Sequence, residues 1–487
     1  MNVAFVTLGC AKNEVDTDKM KARLAAAGFS MVDDPADAAL IVVNTCSFLM
    51  SAVDEGLEVI FDLVNQQAER PVKAKILVAG CMPARYGDDL ESELTEVSGF
   101  LSAADEENIV EKAEELLGID PSSLPAGLAA HGASIRSNEG PSAYVKISDG
   151  CDRFCSYCMI PYIRGRYHSF TQKQIFDEVA ELVEGGVREI VFIGQDTGIW
   201  GRDLSPAQST AQLLDAAASA FPNTWFRLLY LQPAGINDEL LSVMNAHDNV
   251  CKYLDMPLQH ADADVLKAMN REGSPAEYLE VLEHVRDKVP GITTRTTFMA
   301  GFPGETDEQF EELLDFAEEA RFDYAVVFPY SQEDGSAAGS FDCQLDAPSA
   351  CSTSAMPSGT RASRAMWARR SRRSWRATSI PMRASRHLPA GRARPPRSTG
   401  RSTFPSPRKT CFPSAPWCPS RLPTASTTNS KESWPRHGYE QAAGDESAGL
   451  DTCQHRDPRQ DPAHPHLRGR AALAVAGMAP VSRVLGC

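Results

Sequence analysis

Tyr144-Val145-Lys146-Ile147-Ser148-Asp149-Gly150-Cys151-Asp152-Arg153-Phe154-Cys155-Ser156-Tyr157-Cys158 decides how the rest of the chain is read. Tyr144 to Ile147 is a short apolar, strand-forming run that feeds directly into three cysteines with three and then two residues between them. No ordinary core needs that spacing. Thiolates are soft ligands suited to iron-sulfur clusters, and three of them hold three irons of a 4Fe-4S cube while the fourth iron stays open to a further molecule. Cys151, Cys155 and Cys158 are therefore expected metal ligands. A structural zinc site is the plainer alternative, but zinc usually asks for a fourth ligand and for paired C-x-x-C spacing.

The 487 residues are 43% hydrophobic, enough for two or three domains. Charge is divided unevenly. Residues 1 to 350 hold 25 Lys and Arg against 58 Asp and Glu, net −33, whereas residues 351 to 487 hold 23 against 7, net +16. The acidic body disfavours nonspecific nucleic-acid binding and favours a basic protein partner. The chain opens Met1-Asn2-Val3-Ala4-Phe5-Val6, without the cationic and apolar regions of a secretory signal, and no apolar run is long enough to cross a bilayer. No membrane partner is expected, and the 13 cysteines are placed in a reducing cytoplasm, where clustered thiols mean metal or catalysis rather than disulfides.

Working outward, residues 1 to 130 read as βαβαβ. Val3 to Leu8, Ala39 to Val43 and Lys75 to Ala79 are short apolar runs, separated by the amphipathic segments Asp16 to Ala27 and Ala52 to Val64. Parallel strands place whatever follows them at one carboxyl edge of the sheet. A cysteine follows all three: Cys10 after Leu8-Gly9, Cys46 after Asn44-Thr45, and Cys81 after Ala79-Gly80. Buried cysteine can be mere apolar packing. Three at equivalent strand ends point instead to a second cluster.

Residues 140 to 345 follow a Pro-, Ser-, Gly- and Ala-rich stretch, Pro121 to Pro141, and continue the strand-helix alternation through Thr171 to Glu184, Ile190 to Ile193, Phe226 to Leu231, Thr293 to Ala300 and Tyr324 to Phe328. Such repeats predict a β/α barrel with its active face at the carboxyl ends of the strands. Gly194-Gln195-Asp196, Met256-Pro257-Leu258-Gln259-His260 and Gly301-Phe302-Pro303-Gly304-Glu305 fall at those ends, although each taken alone could be a turn. Cys251 reads as core packing, and His260 as a hydrogen-bonded structural histidine rather than an acid or base.

Gly9-Cys10-Ala11-Lys12-Asn13, Asn44-Thr45-Cys46-Ser47-Phe48, Gly80-Cys81, the Cys151 to Cys158 loop and Ile160-Pro161-Tyr162-Ile163-Arg164-Gly165 together resemble the radical S-adenosylmethionine (SAM) methylthiotransferases across about residues 1 to 340. The resemblance implies an N-terminal parallel-sheet cluster domain followed by an incomplete β/α barrel, with two 4Fe-4S clusters and SAM as cofactors. In that family the open iron of the CxxxCxxC cluster chelates SAM, and cysteines at the positions of Cys10, Cys46 and Cys81 hold the second cluster, which carries or activates the sulfur to be inserted. It further implies SAM contacts from Tyr157, Gln195, Gln259, Arg295 and Gly301, with Arg295 a clamp for SAM's carboxylate or, equally, a surface ion pair. No catalytic acid or base is assigned.

Asp196 in Gln195-Asp196-Thr197, and Ser47-Phe48 with Ser51-Ala52, are closer to the branch that modifies an aspartate β-carbon of ribosomal protein S-twelve than to the branch that modifies a tRNA adenosine. That implies ribosomal protein S-twelve, an electron donor and a sulfur donor as partners, with tRNA only under the alternative. A non-enzymatic two-cluster electron carrier is a further alternative, which leaves an open iron unexplained. One departure is visible: where the family commonly has Ser-Arg after the Arg-Gly motif, this chain has Ser169-Phe170.

Residues 346 to 487 change character. Between 351 and 470 there is no valine and one isoleucine, Ile380, and 16 of the 32 prolines lie beyond residue 350. That composition predicts a disordered, low-complexity basic tail. The family resemblance implies a small C-terminal β-barrel called TRAM in its place, so the expectation is an aberrant, frameshifted tail, with a basic RNA-binding tail as the alternative.

Overall fold

The computed structural model describes residues 1–120, 136, 140–344 and 380–381. The expected tail, apart from residues 380–381, and most of the expected linker lie outside these residues.

Strands β1 (Asn2–Thr7), β2 (Ser30–Met31), β3 (Leu40–Thr45), β4 (Lys75–Gly80) and β5 (Gly99–Ser102) form a wholly parallel sheet in the order β2-β1-β3-β4-β5. Helices α1 (Ala11–Ala26) and α4 (Ile109–Leu117) cover one face, and α2 (Met50–Ala68) and α3 (Cys81–Glu93) the other. Leu40-Ile41-Val42-Val43 shows why the central strand is apolar without alternation. Ile41 and Val43 pack with Val53, Ile60 and Met82 on one face, while Leu40 and Val42 pack with Met20, Leu24 and Ile109 on the other. A parallel strand covered on both faces has no solvent side to keep polar.

The second part is an open barrel. Six parallel strands follow in chain order: β6 (Ser142–Lys146), β9 (Glu189–Ile193), β10 (Trp225–Leu228), β11 (Tyr253–Asp255), β12 (Thr293–Ala300) and β13 (Tyr324–Pro329). β10 meets β11 through the Phe226–Val250 bridge and the Leu231 N–H donated to Asp255 O. Among the described residues β6 and β13 do not pair with each other; β13 pairs antiparallel with Ile380–Pro381. The short strands β7 (Ser148–Asp149) and β8 (His168–Ser169) pair antiparallel and bracket the cysteine loop, which also carries α5 (Ile160–Ile163).

Helices α6 (Gln172–Glu184), α7 (Thr210–Ala220), α8 (Asp238–Ala246), α9 (Ala263–Ala268), α10 (Pro275–Lys288) and α11 (Asp307–Ala320) follow the strands. Reciprocal capping boxes start three of them: Thr171 with Gln174, Ser209 with Gln212, and Thr306 with Gln309. Ala143, Val145, Ile190, Phe192, Phe226 and Leu228 point toward these helices. The alternate residues Tyr144, Val191 and Ile193, with Leu229 and Tyr230 beyond β10, pack instead against Ala11 and Val15 of α1. The first sheet's own helix therefore lines the inner wall of the open barrel. No helix among the described residues is long and apolar enough to cross a membrane.

A second seam joins the same two parts. Arg85 on α3 donates Nη1 to Ser47 O at 2.6 Å and to Glu333 Oε2 at 2.9 Å, and Nη2 to Asp334 O at 3.0 Å. Glu333 Oε1 accepts the Met50 N–H at 2.9 Å and the Ser331 hydroxyl at 2.6 Å. Both charged side chains are about 2% exposed. Removing one partner of a buried pair strands the other charge, a loss of about 3–5 kcal/mol. Arg85→Ala should therefore lower the thermal midpoint far more than the double change Arg85→Met with Glu333→Gln. A calorimetric loss under about 1 kcal/mol for Arg85→Ala would show that this pair does not clamp the seam.

Candidate active site

The three loops after β1, β3 and β4 converge because glycine lets them. At Gly9 (φ +97°) a Cβ would stand 2.5 Å from Cys46 Cβ, and at Gly80 (φ +90°) 2.1 Å from Asn44 Oδ1. Asn13, fully buried, ties the loops together: Nδ2 donates to Leu8 O at 3.0 Å and Thr45 O at 2.9 Å, while Oδ1 lies 3.8 Å from both Cys10 Sγ and Cys81 Sγ. Helix α1 begins at Ala11 rather than near Asp16, with Cys10 as its N-cap, and Cys81 is the first residue of α3. Two helix N-termini, with their partial positive charge, thus face the sulfurs.

In the barrel, Gly150 (φ +72°) allows the cysteine loop to pass against Arg166 O, which a Cβ would meet at 2.2 Å. The loop is then pinned from across the barrel. Ser156 gives N–H to Met269 O and Oγ to Ala268 O, and Asn270 Nδ2 donates to the carbonyls of Arg153 and Phe154. Half-buried Arg271 donates Nη1 toward Cys155 Sγ at 3.8 Å and Nη2 to Gln232 Oε1 at 2.6 Å and Pro257 O at 2.9 Å. Burial pushes the thiols of Cys81 and Cys158 up to about 12, with Arg164 partly opposing the shift at Cys81, and it raises Cys46 and Cys151 as well.

Between the two loops lies a buried charge cluster. Lys146 of β6 pairs with Asp16 of α1 and, at 2.9 Å, with Asp149. Arg164 gives Nη1 to Asp16 at 2.7 Å and Asp149 at 3.3 Å, and Nη2 to Asn13 Oδ1 at 2.9 Å and Cys81 Sγ at 3.4 Å. Burial alone would raise the carboxyls of Asp16 and Asp149; Lys146 and Arg164 outweigh it and hold both below the usual carboxylate range. Asp149 also accepts the Gly150 N–H at 3.0 Å and Gln195 Nε2 at 3.0 Å, so a continuous polar path runs from Cys81 to the residue before Cys151.

The other expected SAM contacts are placed as follows. Gln195 leaves Oε1 buried with no hydrogen-bond partner among the described residues. Gln259 sits at φ +73° and pairs with β12 through its backbone, with Thr297 O and the Met299 N–H. Tyr157 is buried with Val265, Met269, Phe302 and Ala338. Arg295 gives Nη1 to fully buried Asp255 at 2.5 Å, an ion pair anchored in the interior rather than the surface pair named as its alternative. Gly301 donates its N–H to Glu305 Oε2 at 2.5 Å, so that turn closes on its own carboxylate. His260 is fully buried, with Nδ1 accepting the Asp262 N–H at 3.0 Å and Nε2 3.4 Å from Glu305 Oε1. Cys251 requires correction: it is half-buried beside Arg227 and belongs to no core cluster, because it precedes β11 at the barrel's amino end.

Sequence reasoning missed Arg271, Asp16, Lys146 and Asp149. Arg271 lies 116 residues from the sulfur it approaches and carries no local signal. Arg164 and Asn13 stood inside quoted motifs without a role.

The residues present fit iron-sulfur clusters and a polar cofactor. Among the described residues no three His, Cys, Asp or Glu enclose a single metal ion. A cube binds each thiolate at a different iron and so needs its sulfurs farther apart than one ion does. The orphaned Gln195 Oε1 is an acceptor that a bound hydroxyl or amine would satisfy.

Comparison with known proteins agrees with this geometry. Residues 145–317 match the radical SAM superfamily and residues 2–102 the uncharacterized protein family UPF0004. The ribosomal protein uS12 methylthiotransferase RimO of Natranaerobius thermophilus is 39% identical over 345 residues, 70% of this chain and 78% of the relative. Those of Desulforamulus reducens and Geobacter sulfurreducens are each 40% identical, over 71% and 70% of this chain and 78% of each relative. The radical SAM methyltransferase TsrM of Kitasatospora setae shares the fold, with a TM-score of 0.51 at 16% identity over 67% of this chain and 72% of that one. A shared fold, both family matches and relatives aligned over more than three quarters of their length place the chain in the RimO family of radical SAM methylthiotransferases.

Proposed function

We propose that this chain inserts a methylthio group at the β-carbon of an aspartate in ribosomal protein uS12, with SAM, a 4Fe-4S cluster on Cys151, Cys155 and Cys158, and a second 4Fe-4S cluster on Cys10, Cys46 and Cys81. The observation that carries the reading is the fusion of the two cysteine sites through Asp16, Lys146, Arg164 and Asp149. Inserting sulfur into a C–H bond needs the hydrogen-abstracting and sulfur-holding sites fixed about one substrate carbon. When bound, these cofactors supply the radical that removes hydrogen, the sulfur and the methyl group.

The chain's own residues hold and orient. Asn270, Arg271 and the Ala268 and Met269 carbonyls fix the loop of the first cysteine triplet. Asn13 and Arg164 fix the second. Gln195 and Gln259 supply polar contacts to SAM, Tyr157 and Gly301 shape its pocket, and Arg295, whose Nη1 is paired with Asp255, would clamp its carboxylate with its remaining donors. An electron donor and a sulfur donor complete the system in the cytoplasm. The functional division is residues 1–130 for sulfur, 140–345 for SAM, and 346–487 as a tail in place of a docking barrel.

Anaerobic reconstitution with SAM, reductant and either uS12 or tRNA, read by mass spectrometry, tests the reading. Modified tRNA with unmodified uS12 would overturn it. Changing Cys151, Cys155 and Cys158 together to Ala should abolish 5′-deoxyadenosine formation and leave about half of the bound iron. Changing Cys10, Cys46 and Cys81 should leave 5′-deoxyadenosine formation and stop sulfur insertion; insertion by that variant would remove the second cluster from the account.

Iron loading should also depend on pH with a definite sign. Each ligand thiol must lose a proton to bind metal, and burial raises Cys46, Cys81, Cys151 and Cys158, so protons compete with iron at neutral pH. Loading of the metal-free chain at fixed free iron should rise from about pH 7 to about pH 9. A flat or falling profile would contradict proton competition at these buried thiols.

A further inference from the structure

The basic side chains that reach the two cysteine loops are, with one exception, already engaged. Lys146 and Arg164 face Asp16 and Asp149, Arg153 faces Asp196, Arg295 faces Asp255, and Arg271 is shared among Cys155, Gln232 and Pro257. Lys12 is the exception. Its Nζ lies 3.9 Å from the centroid of the Tyr230 ring, and among the described residues it makes no hydrogen bond and no ion pair. Burial holds the Lys12 ammonium below its usual range, Arg164 and Lys146 add to that, and Cys10 and Asp149 oppose it; Asp149 already serves both bases. Tyr230 stands just beyond β10 and gives its N–H to Asp255 Oδ2 at 3.0 Å. Lys12 therefore carries the Cys10 loop onto the barrel wall at the carboxyl ends of the strands.

A half-buried ammonium held by an aromatic face alone keeps its donors open to an anion. We propose that Lys12 receives the γ-carboxylate of the substrate aspartate, an inference that rests on the uS12 reading above. The aspartate β-carbon is one bond from that carboxylate, so a fixed carboxylate fixes the hydrogen presented and keeps the carbon beside the Cys10 loop. The surrounding protein makes such a receptor necessary: residues 1 to 350 carry a net −33 charge, and an acidic side chain entering them needs a local cation. An adenosine base has no carboxylate to offer.

The test is a binding cycle on the anaerobically reconstituted full-length chain, with intact uS12 and with uS12 carrying Asn at the target aspartate. Wild type should bind the Asp form at least about tenfold more tightly than the Asn form, as expected of a charge-assisted contact away from bulk water. Lys12→Met keeps the stem over Tyr230 and should bring the two forms within about twofold; Lys12→Arg should restore most of the preference. A general structural defect in Lys12→Met would weaken both forms equally and leave their ratio intact. Equal binding of both forms by wild type, or an undiminished preference in Lys12→Met, overturns the assignment. A wild-type preference that is lost in Lys12→Met, without methylthiolated product, upholds Lys12 and counts instead against the activity proposed above.

Discussion

Asp16 on α1, Lys146 on β6, Asp149 on β7 and Arg164 after α5 are buried together, and what it costs to isolate any of them constrains everything around them. Two acids and two bases alternate, so each charge faces two of opposite sign. Buried ion pairs are often no more stabilising than apolar packing of the same volume, but separating one leaves an unpaired charge in a poor solvent. The cluster is therefore better understood as fixing register than as adding stability. It admits one seating of α1 against the barrel wall, and that seating carries Cys10 and Asn13 with it.

Glu106 shows how the cluster's field spreads. Burial and then the nearby Asp16 push its carboxyl up to about 8, which disfavours a third negative charge beside the cluster. Arg164 works in the opposite sense. Burial disfavours its charge, but Asp16, Cys81 and Asp149 outweigh that and hold it firmly protonated, leaving Nη2 as a permanent donor at Cys81. Its position three residues beyond the motif's Pro161 matters because the same guanidinium that closes the interface also touches a candidate ligand.

What could be read from the chain beforehand follows from how local each constraint is. Apolar runs such as Leu40 to Val43 announce a strand covered on both faces, and the Gly-Cys pairs at residues 9–10 and 80–81 announce close approach, because those constraints act on neighbouring residues. Two features were less legible. Helix α1 starts at Ala11, ahead of the amphipathic stretch, because its first turn is stabilised by contacts with the barrel rather than by its own pattern. Cys251 carries no mark separating a half-buried position from a core one. Ser169-Phe170, the visible departure from the family, resolves into packing: Phe170 joins the barrel's outer core, and Ser169 Oγ accepts the Gly201 N–H at 2.9 Å. Partners such as Arg271 and Cys155 are brought together only by closure of the barrel and leave no trace in spacing.

The distribution of charge has its own logic. A body with net −33 over its first 350 residues still draws Lys12, Lys146, Arg153, Arg164 and Arg271 to its two cysteine loops. Thiolate-bound clusters and their ligands are rich in negative charge, and an acidic protein that left its bases on the surface would have nothing to offset it there. Placing the bases inside does two things at once. It creates a local positive environment where thiolates must form against the effect of burial, and it leaves the exterior acidic enough to attract a basic macromolecule over long range. The long-range and short-range fields thus have opposite sign, acidic over the body and basic at the two cysteine loops.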